Sequence, residues 1–202
     1  MIVIEGDQRT EAWTEHRLGH PTVSQFDRIV TTKGEPSKQR QAYLYQLASE
    51  RITGRKEEGY KSAAMEAGTE MEPEARALYE LLNDVEVRQV AICYKDESRT
   101  VSGSPDGLVE PDGGVEIKCV LPKTQAYYIH KGKLPTDYFQ QVHGYLYITD
   151  RKWWDFFSMA PDMPPFQIRV ERDEKFLEAL HKELERFNQE LDEITDKIRR
   201  AA

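Results

Sequence analysis

Apolar residues along this chain recur at two spacings, and the change between them outlines its organisation. Trp13, Arg17 and Leu18 lie close to helical spacing until Gly19 and Pro21 end the pattern. Ser24 restarts it, with Phe26, Ile29 and Val30 on one face. Tyr43, Leu44, Leu47 and Ala48 form an apolar stripe behind Ser37, a good N-cap, and before Gly54; this predicts a helix over 38–52. Ala75, Leu78, Tyr79 and Leu82 predict a second helix over 63–82, with Pro73 in a first turn or at a kink.

The spacing then shortens. Residues 85–93 are β-rich and predict one strand, followed by short strands near 99–103 and 108–110. Pro111-Asp112-Gly113-Gly114 is a turn signal, so 107–120 predicts a hairpin that ends in Val115-Glu116-Ile117-Lys118-Cys119-Val120. Helices follow at 123–131 and 136–149, broken by Gly132 and Pro135, then strands at 153–159 and 166–170. Phe176, Leu180, Leu184, Phe187, Leu191, Ile194 and Ile198 predict one long amphipathic helix lying across a core. Helices, a mostly antiparallel meander, then helices, strands and a helix predict a single mixed α/β domain over 1–202.

Composition narrows the function classes. The chain has 202 residues, 28 basic and 36 acidic, for a formal charge of −8. No run of about 18 apolar residues predicts a membrane span, and the N-terminus has no basic-then-apolar leader pattern. Cys93 and Cys119 are too few for a disulfide scaffold, a four-cysteine zinc site or an iron–sulfur cluster within one chain, and a reducing cytoplasm is the simplest compartment. No G-x-x-x-x-G-K-[ST] loop points to ATP use. The five histidines show no paired metal-ligand spacing, and His143 and Cys119 read as structural. The charge is uneven. Residues 66–116 carry thirteen acidic against four basic groups, and 117–152 carry six basic against two acidic. Such an acidic block is either a solvated face or a carboxylate metal site beside cations that hold an anionic substrate.

The hairpin favours the second reading. Side chains alternate along a strand, so Glu116 and Lys118 share one face while Ile117 faces the core. Asp106, at a turn of the same meander, approaches Glu116 across the pairing. Two buried carboxylates repel and are costly to desolvate unless a hard cation joins them. Mg²⁺ suits such oxygen ligands, and Lys118 would stand beside the water it activates.

Ser104-Pro105-Asp106-Gly107-Leu108 followed by Glu116-Ile117-Lys118-Cys119 looks like the PD-(D/E)XK nuclease motif. The wider chain resembles the phage lambda exonuclease family. The resemblance is carried by Ala12-Trp13 with Arg17-Leu18-Gly19 and Ser24, by Gly68 with Glu72, Ala75 and Arg76, and by Tyr94-Lys95-Asp96-Glu97-Ser98. Gln141-Val142 and Glu171-Arg172-Asp173-Glu174-Lys175 complete it. It implies a restriction-endonuclease-like core, with a central mixed β-sheet flanked by helices. It implies an Mg²⁺-dependent, processive 5′-to-3′ exonuclease on double-stranded DNA, with Mn²⁺ as a substitute and two ions per site. Asp106, Glu116 and the Ile117 backbone carbonyl would bind metal, Lys118 would activate water, and Glu72 would serve a second metal or its waters. Glu70 and Glu74 compete with Glu72 on sequence alone. Gln141, Tyr138 and Tyr145 would contact the scissile region, and Arg17, Ser24 and Ser104 would grip the 5′ phosphate. The family's arginine beside the duplex end has no clear match; Lys33 and Arg40 are the candidates to replace it. The resemblance further implies a ring-shaped homotrimer, a single-strand annealing partner and a bacterial or prophage setting. A PD-(D/E)XK endonuclease and a non-catalytic DNA-binding module are the alternatives.

Overall fold

The computed structural model describes residues 1–56 and 63–201. Among the described residues, eight strands and six α-helices run in the order β1 (Ile2–Ile4), α1 (Glu11–Glu15), α2 (Arg40–Thr53), α3 (Ala63–Asn83), β2 (Val87–Arg88), β3 (Ile92–Tyr94) and β4 (Ser102–Gly103). Then come β5 (Gly107–Val109), β6 (Gly113–Cys119), α4 (Pro122–Lys131), α5 (Phe139–Thr149), β7 (Trp153–Met159), β8 (Phe166–Glu171) and α6 (Glu174–Arg200), with 3-10 turns at Val23–Arg28 and Thr136–Tyr138. The main sheet has the order β2-β5-β6-β7-β8, and only β6 and β7 run parallel. That parallel step requires a long crossover, which α4 and α5 supply. A smaller antiparallel sheet, β1-β3-β4, stands beside it.

The central strands are buried on both faces, so helices cover each side. On one face Ala75 and Tyr79 of α3 pack on Val115, Ile117 and Phe157. On the other, α5 carries Val142, Tyr145 and Leu146 onto Leu108 and Trp154, and α2 and α6 close the layer with Leu44, Leu47, Leu180 and Phe187. Gly68 lets α3 lie close to the end of β6, since a Cβ there would meet the Cys119 carbonyl oxygen at 3.1 Å. The long final stripe is buried from Phe176 to Leu191, and Asp173 caps α6 by accepting from the Phe176 N–H at 3.0 Å.

The structure corrects several local expectations. Residues 85–93 are two strands in two sheets, because the chain crosses between them after Arg88. Leu82 and Ile198 are exposed, at helix ends that run past the layer they cover. The α2 N-cap is Gln39 rather than Ser37, whose hydroxyl accepts from the Gln39 N–H two residues on. α1 ends at Glu15, short of Arg17.

Candidate active site

Asp106 immediately precedes β5 and completes that strand's pairing with a side chain. β5 pairs with β6 as far as Gly107 opposite Val115. Where the next rung would form, the Ile117 N–H donates to Asp106 Oδ2 at 2.7 Å. A strand residue presents its N–H and C=O to the same edge, so the Ile117 carbonyl also faces the Asp106 side. Glu116 lies fully buried on the sheet face under α5. Its Oε1 accepts from Gln141 Nε2 at 2.5 Å and pairs with the Lys118 ammonium, whereas its Oε2, equally buried, has no partner. Lys118 reaches the Tyr138 ring, with Nζ 5.4 Å from its centroid.

The electrostatics follow from this crowding. Burial, and then the Asp106 charge, push the Glu116 carboxyl well above its ordinary range. Burial also raises Asp106, although Lys118 and the Ile117 N–H oppose it. Burial alone would lower Lys118, but Glu116 and Asp106 outweigh it and hold the ammonium charged. Two adjacent carboxylates share one ammonium, one carboxylate oxygen is orphaned, and a backbone carbonyl faces the same edge. This donor set fits a hard divalent cation. Among the described residues no three His, Cys, Asp or Glu side chains converge. Glu72 lies on α3 across the same cleft, of about 670 Å³, and is held by Arg9 at 2.7 Å and by Arg76 at 3.3 Å.

A second cluster begins two residues before Asp106. Arg17 donates to Ser104 Oγ at 3.1 Å and to Ser24 Oγ at 3.3 Å, with Thr22 Oγ1 at 3.5 Å. Its guanidinium lies 4.5 Å above the Trp13 ring, and its Nε is buried without a partner. Among the described residues no carboxylate is within ion-pair distance of it. The loop is built to hold it. Glu50 of α2, itself buried, accepts the Gly19 N–H at 3.1 Å, and Arg51 donates to the Gly19 carbonyl at 2.5 Å. Gly19 has φ +70, and a Cβ there would strike Arg51 at 2.6 Å.

Tyr145 ties the two clusters together. It is buried, stacks on Trp154, and donates its hydroxyl to the Ser104 carbonyl at 2.8 Å. From that position it braces the loop instead of presenting a surface. Gln8 donates to the Pro105 carbonyl at 2.8 Å and braces the other side. Asp106, Glu116, Lys118 and Gln141 therefore meet at one point, Arg17, Ser24 and Ser104 at another, and Tyr138 and Glu72 line the cleft. Arg40 lies elsewhere, bound to Glu190 at 2.5 Å and stacked on Phe187 between α2 and α6, while Lys33 is on an exposed turn. Sequence reasoning assigned no role to Arg9, Thr22 or Glu50. Nothing in the sequence marks Arg9, Thr22 or Glu50.

The fold is that of the PD-(D/E)XK-like exonucleases. The alkaline exonuclease of Laribacter hongkongensis matches over 95% of this chain and 97% of its own, at 33% identity and a TM-score of 0.87. Its structure in complex with dAMP matches over the same shares at 33% identity and a TM-score of 0.86. A phage-related exonuclease of Haemophilus somnus 129PT shares the fold at 13% identity, with a TM-score of 0.72 over 89% of this chain and 96% of that one. The chain belongs to the YqaJ-like viral recombinase domain family, whose model matches residues 12–152. No curated protein matches. The expected lambda exonuclease-type fold is thereby borne out.

Proposed function

We propose that this chain is an Mg²⁺-dependent exonuclease that degrades the 5′-ended strand of duplex DNA processively, releases mononucleotides and leaves a 3′ overhang for recombination. The observation that carries this reading is the pairing, on one loop, of a buried carboxylate cluster with an arginine pocket in which, among the described residues, no carboxylate is within ion-pair distance. Asp106 belongs to the first and Ser104 to the second. An arginine surrounded by hydroxyls suits a terminal phosphate, which its planar fork can grip. The carboxylates then sit beside the bond to be cut.

Asp106, Glu116 and the Ile117 carbonyl would hold Mg²⁺, or Mn²⁺ in its place, and Glu72 would serve a second ion or its waters. The ion would supply Lewis acidity toward the phosphate and lower the pKa of a water bound to it. Lys118, held as an ammonium, orients the attacking water, Gln141 keeps the Glu116 carboxylate aimed, and Tyr138 shapes the cleft wall. The dAMP in the Laribacter relative is a deoxynucleoside monophosphate, the product class this reaction releases. A homotrimeric ring would explain processivity, and a single-strand annealing protein would receive the overhang. The reading extends to a single nuclease domain over 1–202 acting on DNA in a bacterial cytoplasm.

Digestion of linear duplexes that differ only at the 5′ group tests this, with circular duplex and EDTA as controls. Charge-assisted bonds of roughly 1.5–3 kcal/mol at Arg17 correspond to phosphorylated ends being digested about tenfold to a hundredfold faster than hydroxyl ends. Arg17→Ala narrows that gap by slowing the phosphorylated substrate most. Resistance of every linear duplex in Mg²⁺, or cleavage of the circle, would overturn the reading.

A further inference from the structure

Trp13 has no role in the site as described so far, yet its indole Nε1–H donates to Ser104 Oγ at 2.7 Å. Arg17 donates to the same oxygen at 3.1 Å. A serine hydroxyl offers two lone pairs and one proton, while indole and guanidinium N–H groups only donate. Both lone pairs are therefore taken, and by groups that cannot reverse direction. The hydroxyl keeps one capability, which is to donate. Among the described residues nothing accepts that proton; Tyr145 engages the backbone carbonyl of Ser104, not its hydroxyl. Ser24 differs, because its Oγ accepts one bond only, from Arg17, and stays free to turn.

The indole is itself fixed. Its backbone N–H is capped by Thr10 Oγ1 at 3.2 Å, and Arg17 and the Lys56 ammonium lie 4.5 and 5.6 Å from the ring centroid. The Ser104 proton consequently has a set direction before any substrate arrives.

We propose that Trp13 is a positioning residue that sets the hydrogen-bond polarity of the 5′-end pocket. By filling a Ser104 lone pair, it makes that hydroxyl an obligate donor. The pocket then favours a group made only of acceptors, the phosphate monoester dianion, over a protonated phosphate or a 5′-hydroxyl. This inference rests on the 5′-phosphate reading of the pocket and adds its specificity determinant.

Trp13→Phe tests it, since phenylalanine keeps a ring under Arg17 and removes the N–H. The readout is the ratio of initial rates on 5′-phosphate and 5′-hydroxyl duplexes with Mg²⁺, in which the shared chemical step cancels. The ratio is expected to fall about fivefold to tenfold, through KM for the phosphorylated end. Ser104→Ala should lower it similarly, and the double variant no further than either single one. An arm on the unmodified protein needs no variant to fold. The phosphate second pKa is about 6, so the wild-type ratio should drop as pH falls through that value. A wild-type ratio in Trp13→Phe, effects that multiply in the double variant, or a ratio indifferent to pH would each overturn the proposal. If the unmodified protein prefers neither end at any pH, the phosphate pocket itself is wrong; if it prefers phosphate and Trp13→Phe does too, only the role of Trp13 falls.

Discussion

Asp155 and Glu116 are both fully buried carboxylates on the two central strands, one residue apart in register, since Val115 pairs with Asp155 and Glu116 with Phe156. They point to opposite faces of the sheet. Beneath α3, Asp155 accepts from Tyr79 at 2.8 Å, from Gln167 at 3.1 Å, and from both forks of Arg169 at 2.9 and 2.8 Å. Arg169 in turn lies over the Trp153 ring at 3.6 Å. Under α5, Glu116 has two donors on one oxygen and none on the other, with Asp106 adding a like charge nearby. A buried charge answered on every side is a structural tie. One left half-answered raises the energy of the apo fold unless a ligand completes it. The same residue chemistry, on neighbouring strands, thus stands in two opposite settings, one closed and one open to a further ligand.

The comparison can be broken by neutralising each site. Glu116→Gln should lower the nuclease rate by about a thousandfold, since several kcal/mol of cation stabilisation are lost. Without added metal its thermal midpoint should match or exceed wild type, because a repelling buried charge has gone. A marked drop in that midpoint would make Glu116 a structural tie like Asp155. Lys118→Ala should cost roughly 10²–10³ in rate while binding to duplex ends is kept, as loss of one preorganised cationic donor beside the reacting water does; single-turnover rates and gel-shift binding check the two halves. Asp155→Asn should do the reverse. It leaves Arg169 and Tyr79 poorly matched and should cost roughly 3 kcal/mol in urea unfolding, with the rate of the folded enzyme nearly unchanged.

The smallest effect concerns His20. Its Nδ1 faces the Leu18 carbonyl at 3.2 Å and its Nε2 lies 2.9 Å from the Ser102 hydroxyl, an arrangement suited to a neutral ring. Burial, with Arg17 and Arg51 nearby, pushes its pKa down to about 4 from an ordinary 6.5. The folded state therefore refuses a proton that the unfolded chain accepts. Stability falls as pH drops from about 6.5 toward 4 and levels off below, and His20→Gln should flatten that part of the pH profile of the urea midpoint.

Much of this was legible in the sequence because it was local. The Asp106 to Lys118 hairpin, the α5 helix set off by Gly132 and Pro135, the α6 stripe and the two β-strands between those helices all rest on period and turn chemistry within a few residues. Arg17, Ser24 and Ser104 were assigned together through the family resemblance, and the structure does gather them. What stayed hidden depends on contacts between distant residues. The break at Arg88 follows from which sheet each half joins, not from β propensity. Glu50 and Gly19 meet only because α2 passes behind the Arg17 loop. Tyr145 was assigned to the scissile region through the same resemblance, and its buried bond to the Ser104 carbonyl depends on a residue 41 positions away. Asp155 drew no notice, because one Asp within an apolar strand does not reveal which face it takes or what awaits it there.

Calorimetric titration of the Lys118→Ala protein with Mn²⁺, with and without a second change at Glu116 or Asp155, tests whether the orphaned oxygen of Glu116 marks a cation site. Saturable binding is expected in Lys118→Ala and in its Asp155→Asn derivative, and none in its Glu116→Gln derivative. Unchanged Mn²⁺ affinity after Glu116→Gln would contradict it.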